Sequence, residues 1–192
     1  MKVLGALLLM VFCMAFLMPL TACEKKETYK KKPVEHGKKL CATAEFINAK
    51  GDVIGLAQLK QTKQGVKIHL ELSGLTAGSH AMHIHETGKA DAPDFKSAGG
   101  HFNPFGKCHG CDNPAGAHAG DLPNLDVGAD GNVTADILAK DVTLKAGEVN
   151  SLFKDGGTAF VIHAGADDYK SDPAGNAGAR VACAIIMPVE KK

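Results

Sequence analysis

A strict alternation of apolar and polar residues is the sequence feature that most constrains the fold. Between positions 66 and 72 the apolar residues occupy every second position and polar residues fall between them: Val66, Lys67, Ile68, His69, Leu70, Glu71 and Leu72. A period of two places all the apolar side chains on one face of an extended strand, so the stretch predicts a half-buried β-strand. His69 falls on the polar face and is interpreted as an ordinary surface residue.

Other stretches predict further short strands joined by turns. Residues 42–48, 53–59 and 133–138 read as strands, with turns at Lys50-Gly51-Asp52 and Asp130-Gly131-Asn132. Residues 159–163 and 180–187 are nearly continuous apolar runs, which are typical of central strands. No stretch has the period of an amphipathic helix, and no internal repeat is present. The sequence therefore predicts an all-β fold, either an antiparallel sandwich or a barrel.

Length and charge narrow the class of protein. A chain of 192 residues is long enough for one domain with extensions. Residues 1–39 contain eight lysines and three glutamates, whereas residues 40–192 contain 14 basic and 18 acidic residues. A mildly acidic body argues against binding to nucleic acid.

The first 39 residues predict an export signal followed by a tether. Lys2 precedes an apolar run over residues 3–18, which is short for a membrane-spanning helix and typical of a secretory signal. Leu20-Thr21-Ala22-Cys23 resembles a bacterial lipobox, in which Cys23 would become the lipidated first residue; simple cleavage and release is the alternative. We therefore expect a signal peptide over 1–22, a lysine-rich tether over 23–39 and a folded domain over 40–192. The expected location is periplasmic or extracytoplasmic, with a lipid anchor in a bacterial membrane.

One stretch, residues 83–121, is rich in histidine and glycine and has almost no apolar periodicity. A loop of this length inside a domain is usually functional or disordered. Its metal-ligand residues are His83, His85, His101, His109, His118 and Asp121, and His163 ends an apolar strand further on. Imidazole suits transition metals such as copper and zinc. His83 and His85 are two residues apart, so on an extended strand both rings project from one face, as half of a copper site would require. Three histidines with one carboxylate would suit tetrahedral zinc.

Several separated motifs resemble those of one known family. They are 78-GSHAMHIH-85, 101-HFNP-104, 118-HAGD-121, 161-VIH-163 and 175-GNAGARVAC-183. Together they resemble the successive signatures of copper/zinc superoxide dismutase, from about Cys41 to Met187. The resemblance implies an eight-stranded antiparallel Greek-key β-barrel, an immunoglobulin-like sandwich with long metal-binding and electrostatic loops. It also implies superoxide as substrate and copper and zinc as cofactors. A homodimer is considered beside a monomer, because the sequence does not locate the surface patches that decide between them.

The resemblance assigns roles to particular residues. It implies copper held by His83, His85, His101 and His163, and zinc held by His101, His109, His118 and Asp121. His101 would bridge the two metals and supply a proton during the reaction, which converts superoxide to O₂ and H₂O₂. Asp167 would connect His83 with His109 behind the metals. Arg180 would stand beside the copper channel and attract the anionic substrate, and a structural salt bridge is the alternative role for this arginine.

The cysteines depart from the family pattern. The family joins a loop cysteine to one in the last strand; Cys183 matches the second, but Ala90 occupies the first position. Outside Cys13 and Cys23, four cysteines remain, and they allow three pairings. We expect Cys108–Cys111, with Cys41–Cys183 as a further pairing, and thiolate ligation of zinc by Cys108 and Cys111 is the rival interpretation.

Two functions fit these residues. The complete ligand set and Arg180 favour an active dismutase that protects the cell envelope from superoxide. The missing bridge and the added Cys-His-Gly-Cys motif would instead suit a metal-binding module of the same fold, such as a copper buffer or carrier.

Overall fold

The computed structural model describes residues 40–189, so the predicted signal peptide over 1–22 and the whole tether over 23–39, including Cys23, lie outside the described residues. The described residues form ten strands: β1 (Cys41–Asn48), β2 (Val53–Thr62), β3 (Gly65–Leu72), β4 (Gly78–His80), β5 (Met82–His85), β6 (Leu125–Val127), β7 (Val133–Ala139), β8 (Ala159–His163), β9 (Arg180–Ile185) and β10 (Met187–Pro188). The single 3₁₀ turn of this part of the chain spans Lys96–Ala98. Within these residues no helix is long and apolar enough to cross a membrane.

The fold class predicted from the sequence is confirmed. All the strands expected from alternation or apolar runs are present. The expected turn over 50–52 connects the antiparallel strands β1 and β2, and the expected turn over 130–132 lies directly before β7. The apolar run over 180–187 is divided into β9 and β10 at Ile186. The three-residue strand β6 has no period long enough to be recognised, and the sequence did not predict it.

The strand order curls the sheet into a barrel. The main sheet has the order β5-β8-β9-β1-β2-β3-β7, and β4 pairs separately with β6. Only Ala81 separates β4 from β5, so β6 extends the β5 edge of the sheet. However, β6 is also joined to β7, at the opposite edge, by the short turn over residues 128–132, which a hydrogen bond from Gly128 N–H to the Asn132 carbonyl closes. The two edges must therefore approach each other, as in a barrel.

Alternate residues of the strands fill the barrel interior. Fully buried side chains from different strands meet in this interior, including Phe46, Leu59, Leu70, Ile84 and Phe160. The rings of Phe46 and Phe160 stack with centroids 5.8 Å apart. Met82 and Ile84 of β5 belong to this core, so His83 and His85 project from the opposite, outer face. The candidate site therefore lies outside the barrel wall, under the loops over 86–124 and 164–179.

Candidate metal centre

The outer edge of β5 is covered by two segments of the long histidine-rich loop. Ile84 is the point of attachment: its N–H donates to the Gly120 carbonyl at 2.8 Å, and its carbonyl accepts from the Phe102 N–H at 2.8 Å. As a result His83 pairs with Asp121 and His85 with His101, in antiparallel bridges. A Cβ at Gly120 would overlap the Ile84 carbonyl, so this close approach requires glycine.

Four histidine rings form the first donor set. His83 and His85 come from β5, His163 from the end of β8 and His101 from the loop, and one ligand atom of each lies within 4.8 Å of the others. In each ring one buried nitrogen has no hydrogen-bond partner: Nδ1 of His83 and Nε2 of His85, His101 and His163. Leaving a buried polar atom unpaired costs about 1–3 kcal/mol. Four such atoms facing one another are the arrangement that a bound metal ion would satisfy.

The second donor set surrounds the carboxylate of Asp121. Its oxygens lie 3.0 Å from His101 Nδ1, 3.2 Å from His109 Nδ1 and 3.2 Å from His118 Nδ1. His118 Nδ1 is also 3.4 Å from His101 Nδ1. Zinc bonds of about 2.0–2.1 Å in a tetrahedron separate neighbouring ligand atoms by about 3.3 Å. The spacing of His101 Nδ1, His118 Nδ1 and Asp121 Oδ1 therefore matches three corners of such a tetrahedron, and His109 Nδ1 lies beside the other oxygen, Oδ2. The donors that lie within 4.8 Å of one another here are His83, His101, His109 and Asp121, so His118 stands slightly outside the tightest group.

His101 belongs to both donor sets. Its Nε2 is unpaired and faces the first set, while its Nδ1 lies beside Asp121 in the second. Its ring centroid is 4.0 Å from that of His83, 5.0 Å from that of His85 and 5.1 Å from that of His109. One imidazole can therefore offer a nitrogen to each of two metal ions.

In His85 and His163, the ring nitrogen that faces away from the first donor set donates a hydrogen bond, and this bond determines which nitrogen carries the proton. His85 Nδ1 donates to the Gly99 carbonyl at 2.9 Å, and His163 Nδ1 donates to the Gly178 carbonyl at 3.2 Å. Carbonyls only accept, so the proton resides on Nδ1 and the lone pair on Nε2 points into the first set. Such partners orient a ligating ring and raise its basicity.

Asp167 fixes the position of the ring proton in one histidine of each donor set, His83 in the first and His109 in the second. Its carboxylate accepts from His83 Nε2 at 2.8 Å and from His109 Nε2 at 2.9 Å. The lone pairs of these two rings are therefore on Nδ1, the atoms that face the two donor sets. The side chain of Asn124 holds the backbone of Asp167 in place with two hydrogen bonds: it accepts one from the Asp167 N–H and donates one to the Asp167 carbonyl.

The local environment favours neutral rings and charged carboxylates. Burial lowers the pKa of His85 to about 2 and that of His163 to about 4, and it lowers the pKa of His83 and His118 as well. Burial alone would raise the pKa of Asp121, but hydrogen bonds from His101 and the Gly110 N–H outweigh it and hold this pKa well below its usual range. These are the protonation states that metal ligands require.

Gly175 is packed against Asp167 and His109, and this close contact leads to a first testable prediction. This glycine has φ +64°, and a Cβ there would overlap Asp167 Oδ1 and lie 2.7 Å from His109 Nε2. Replacing Gly175 by alanine should displace the carboxylate from His109 and weaken zinc binding about 10–100-fold, the usual effect of losing such a partner. Zinc transfer to a competing chelator would measure the loss.

Gly147 supplies the matched control for this prediction. It also has a positive φ, +85°, but nothing lies within 4 Å of its Cβ position. Gly147→Ala therefore carries the same kind of backbone strain without the collision, and it should bind zinc as the parent chain does. Equal zinc affinities in the two variants would contradict the prediction.

Arg180 connects β9 to the loop beside the first donor set. Its guanidinium donates to the Phe95 and Gly99 carbonyls, both at 2.7 Å, and Gly99 also accepts from His85. Among the described residues Arg180 forms no salt bridge, so the structural ion pair considered for it is absent there. It lines an open depression of about 540 Å³ together with Asp94 and Lys96.

The cysteines are all free thiols in the described part of the chain. The pairing of Cys41 with Cys183 is wrong: Cys183 lies opposite Ile47, six residues along β1 from Cys41. At about 3.3 Å per residue this separation is roughly 20 Å, whereas a disulfide needs Cα atoms within about 7 Å. Strand adjacency suggested the pair, but the register separates it. The Cys108–Cys111 pairing stays a prediction.

Ala90 packs against the buried Cys183, which leads to a second prediction. Both residues belong to a small apolar cluster outside the barrel, and Cys183 Sγ lies 3.6 Å from the neighbouring Lys89 carbonyl. Replacing Ala90 by cysteine should allow a disulfide that stabilises the protein by on the order of 4 kcal/mol in the chain-entropy description. The melting temperature of the oxidised variant should exceed that of its reduced form. Ala90→Ser should show no such difference, and a cross-link without a rise in melting temperature would contradict the expectation.

Several contributors to the site were not predicted from the sequence. They are the Gly99 and Gly178 carbonyls, Asn124, and His80, whose buried ring bonds to the backbone carbonyl of His163 at 2.7 Å. A carbonyl has no sequence signal, because every residue carries one. His80 could have been suspected only as part of its motif, where it is the last residue of the short strand β4.

The fold and the site together define a class of protein: an antiparallel β-barrel that carries, on its outer wall, two metal-donor sets sharing one imidazole. Copper/zinc superoxide dismutase is the family whose sequence profile matches residues 53–186. The chain belongs to this family, which uses copper and zinc.

Similar proteins agree with this assignment. Superoxide dismutase [Cu-Zn] 1 of Aquifex aeolicus is 60% identical over 144 residues, covering 74% of this chain and 85% of the relative. Superoxide dismutase [Cu-Zn] of Caulobacter vibrioides is 45% identical over 147 residues, covering 76% and 84%. Among solved structures, a superoxide dismutase-like protein from Bacillus subtilis has a TM-score of 0.73 at 44% identity, covering 74% of this chain and 96% of that one.

Proposed function

We propose that the first donor set, His83, His85, His101 and His163, holds copper and that His101, His109, His118 and Asp121 hold zinc. The observation that carries the proposal is the His101 ring, which offers one nitrogen to each set. The chemistry of the donors supports the assignment, because imidazole suits both metals and three histidines with one carboxylate are a ligand set that zinc accepts.

The reaction is the dismutation of superoxide. Copper, when bound, supplies the one-electron chemistry by alternating between Cu(II) and Cu(I), so one superoxide is oxidised to O₂ and a second is reduced to H₂O₂. His101 takes up a proton on Nε2 in the first half of the reaction and gives it to the peroxide product in the second half, while solvent provides the other proton. Its Nδ1 stays beside Asp121 throughout, which keeps the ring in position for both transfers.

Arg180 orients the substrate in this proposal. Its guanidinium is held by two carbonyls, one of which also fixes His85, so a cation stands at a set place beside the first donor set. A fixed cation attracts a small anion such as superoxide, and steering of this kind is known from superoxide dismutases and weakens as salt rises.

The activity test compares the loaded protein with a variant of one proposed copper ligand. We expect the copper- and zinc-loaded chain to remove superoxide and His163→Ala, treated in the same way, to remove almost none. His69→Ala is the matched control, because His69 is a half-exposed histidine on β3 that lies outside both donor sets. Activity of the parent chain no higher than that of His163→Ala would refute the proposal.

A metal-binding module without catalysis is the second candidate function. It is favoured by the free Cys183, which lacks the cysteine partner that the family provides. Such a protein would take up copper and exchange it readily but would show no turnover in the same assay. The intact donor sets and the placement of Arg180 favour the enzyme.

We also propose export, lipidation at Cys23 and protection of the cell envelope, all supported by the sequence of residues 1–39 alone. A fatty-acid label fed to cells should enter the parent chain, and Cys23→Ser should lose the label and leave the membrane fraction. Cys13→Ser, inside the predicted signal peptide, is the control that should keep it. Labelling that survives Cys23→Ser would contradict lipidation.

Self-association into a homodimer stays a prediction that sedimentation of the loaded protein would test.

A further inference from the structure

A group of exposed lysines lies at one end of the barrel, away from the metal centre. Strand β2 ends there, β3 begins there and β7 ends beside them, because Val66 is opposite Gln61 on one side and Ala139 on the other. The lysines of these segments are Lys60, Lys63, Lys67, Lys140 and Lys145, and we call this region the lysine end. We propose that the lysine end docks onto the surface of an anionic lipid membrane. The proposal concerns where the protein is held, so it goes beyond dismutation.

Two of the lysines repel each other within the sheet. Lys60 and Lys67 are directly opposite in the β2–β3 ladder, and both are exposed. Like charges in this arrangement destabilise a sheet, and among the described residues neither lysine has a salt-bridge partner. The pair lines an open depression of about 430 Å³ together with Cys41, Gln58 and Val189. A phosphate group in this depression would replace the repulsion by attraction to both lysines.

Two further lysines extend the positive charge around the same end. Lys140 directly follows β7, and its Cα lies only 2.8 Å from the position that a Cβ of Gly65 would occupy. The Gln61 side chain accepts a hydrogen bond from the Leu144 N–H at 2.6 Å, so Lys145 follows a residue fixed against the end of β2. Both lysines are exposed. The charges therefore surround one end of the barrel instead of following a single strand.

Charge is divided unevenly over the folded domain. Residues 40–192 contain 14 basic and 18 acidic residues. The segments that meet at the lysine end, residues 40–43, 59–67 and 138–149, nevertheless contain five lysines and only two acids, Asp141 and Glu148. Asp136, on the inner side of the depression, is hydrogen-bonded to His69 at 2.9 Å. One end of an otherwise acidic domain is therefore positive, and such an asymmetry orients a protein toward a negative surface.

The place where the tether joins the barrel favours a lipid surface over other polyanions. The Leu40 carbonyl accepts from the Gln61 N–H at 2.9 Å, so the described chain starts at the lysine end. Residues 23–39 precede Leu40 and contain seven lysines and three glutamates. A flexible segment of this length spans about 20–25 Å on average, so an anchor at Cys23 would keep the lysine end close to the headgroups. The choice of a lipid surface rests on the lipidation proposed above, whereas the attraction to anions does not.

Docking in this way would leave the metal centre facing away from the membrane. Cys41 begins β1 at the lysine end, whereas Asn48, at the other end of the strand, is opposite Ala182, two residues from Arg180. At about 3.3 Å per residue, the length of β1 corresponds to roughly 23 Å. This exceeds the screening length of about 8 Å at physiological ionic strength. The lipid charge would therefore not repel an anionic substrate that approaches Arg180.

The test measures which lysines a membrane protects. The full chain, isolated with its anchor, is reconstituted into vesicles of phosphatidylcholine alone or of phosphatidylcholine and phosphatidylglycerol in equal amounts. An amine-acetylating reagent is added, and mass spectrometry gives the rate at each lysine. We expect the lysine end to react several-fold more slowly in the anionic vesicles, and this difference should disappear at high salt. Lys50, in the β1–β2 turn, and Lys170, in the loop before Arg180, lie toward the other end and should react equally in both.

A double variant tests the opposed pair. Each lysine close to an anionic surface strengthens binding about fivefold, so Lys60→Gln/Lys67→Gln should lower the ratio of docked to undocked protein about 25-fold. Lys140 and Lys145 should then lose their protection. Lys50→Gln/Lys170→Gln removes the same charge elsewhere and should keep it. Because the first variant relieves a repulsion in the sheet, its melting temperature should not fall, and a folding defect would be recognised by such a fall.

Cys23→Ser separates this proposal from the proposed anchor. Added from solution to the same vesicles at high lipid concentration, this variant should show the same pattern of protection, whether or not the parent chain is lipidated. Equal acetylation in neutral and anionic vesicles, uniform protection of all lysines, or protection that survives Lys60→Gln/Lys67→Gln would overturn the docking. Equal protection by a DNA oligomer at the same phosphate concentration would indicate a general attraction to polyanions and overturn the assignment to a lipid surface.

Discussion

Replacing His101 by alanine should abolish superoxide removal and loosen both metals at once. The single ring offers Nε2 to the four-histidine set and Nδ1 to the set around Asp121, where the Nδ1–carboxylate distance is 3.0 Å. Losing it leaves three donors in each set and removes the group proposed to move a proton. Proton transfer by a positioned side chain contributes about 10²–10⁴-fold, so activity should fall by at least that factor even where copper is retained.

His118→Ala is the matched comparison for this experiment. His118 contacts only the second set, with Nδ1 3.2 Å from Asp121, and lies on the same loop as His101. This variant should lose zinc affinity while its copper content stays near that of the parent. Metal analysis after dialysis, alongside the superoxide assay, would separate the two patterns. A His101→Ala protein that lost one metal and retained the other at parental affinity would contradict a shared ligand.

The barrel strands could be predicted because burial on one face imposes a period on the sequence. The stretch from Val66 to Leu72 shows this directly, since its four apolar residues are buried and the polar residues between them are exposed or, for His69, half-exposed. Register leaves no such mark, because it depends on which residues of two distant strands become opposite. The predicted Cys41–Cys183 bridge was wrong for that reason: the strands are neighbours, but Cys183 lies opposite Ile47.

The donors of the metal centre were predicted by their residue types and motif positions, whereas what positions them was largely not. Asp167 was expected between His83 and His109, and in the structure both rings donate hydrogen bonds to its carboxylate. The partners of His85 and His163 are backbone carbonyls, which depend on how the loops fold rather than on any side chain. Arg180 illustrates the same point, since its two hydrogen-bond acceptors are the carbonyls of Phe95 and Gly99.

The metal-free protein should lose stability steeply as the pH falls from about 6.5 to about 4. Burial holds the pKa of His163 at about 4 and that of His85 at about 2, whereas the usual value is 6.5. In this window the unfolded chain binds protons that the folded chain cannot, so the free energy of unfolding decreases with falling pH. At about 1.4 kcal/mol per pKa unit, His163 alone accounts for a loss on the order of 3 kcal/mol by pH 4.

Urea unfolding of the metal-free chain at several pH values would measure this loss, and two histidine variants separate its causes. His163→Gln should make the decline shallower by on the order of 3 kcal/mol at pH 4, because the substituted side chain does not titrate whereas His85 still does. His69→Gln should leave the decline in place. A hydrogen bond to Asp136 raises the pKa of the half-exposed His69, so any stabilisation from that pair is present at low pH and lost as the pH rises. The carboxylates Asp121 and Asp167 have a depressed pKa and add their own loss of stability only below about pH 4.

A stability profile that is flat between pH 6.5 and 4 would mean that protons reach the buried rings without unfolding the chain. The donor sets would then not be held neutral by burial.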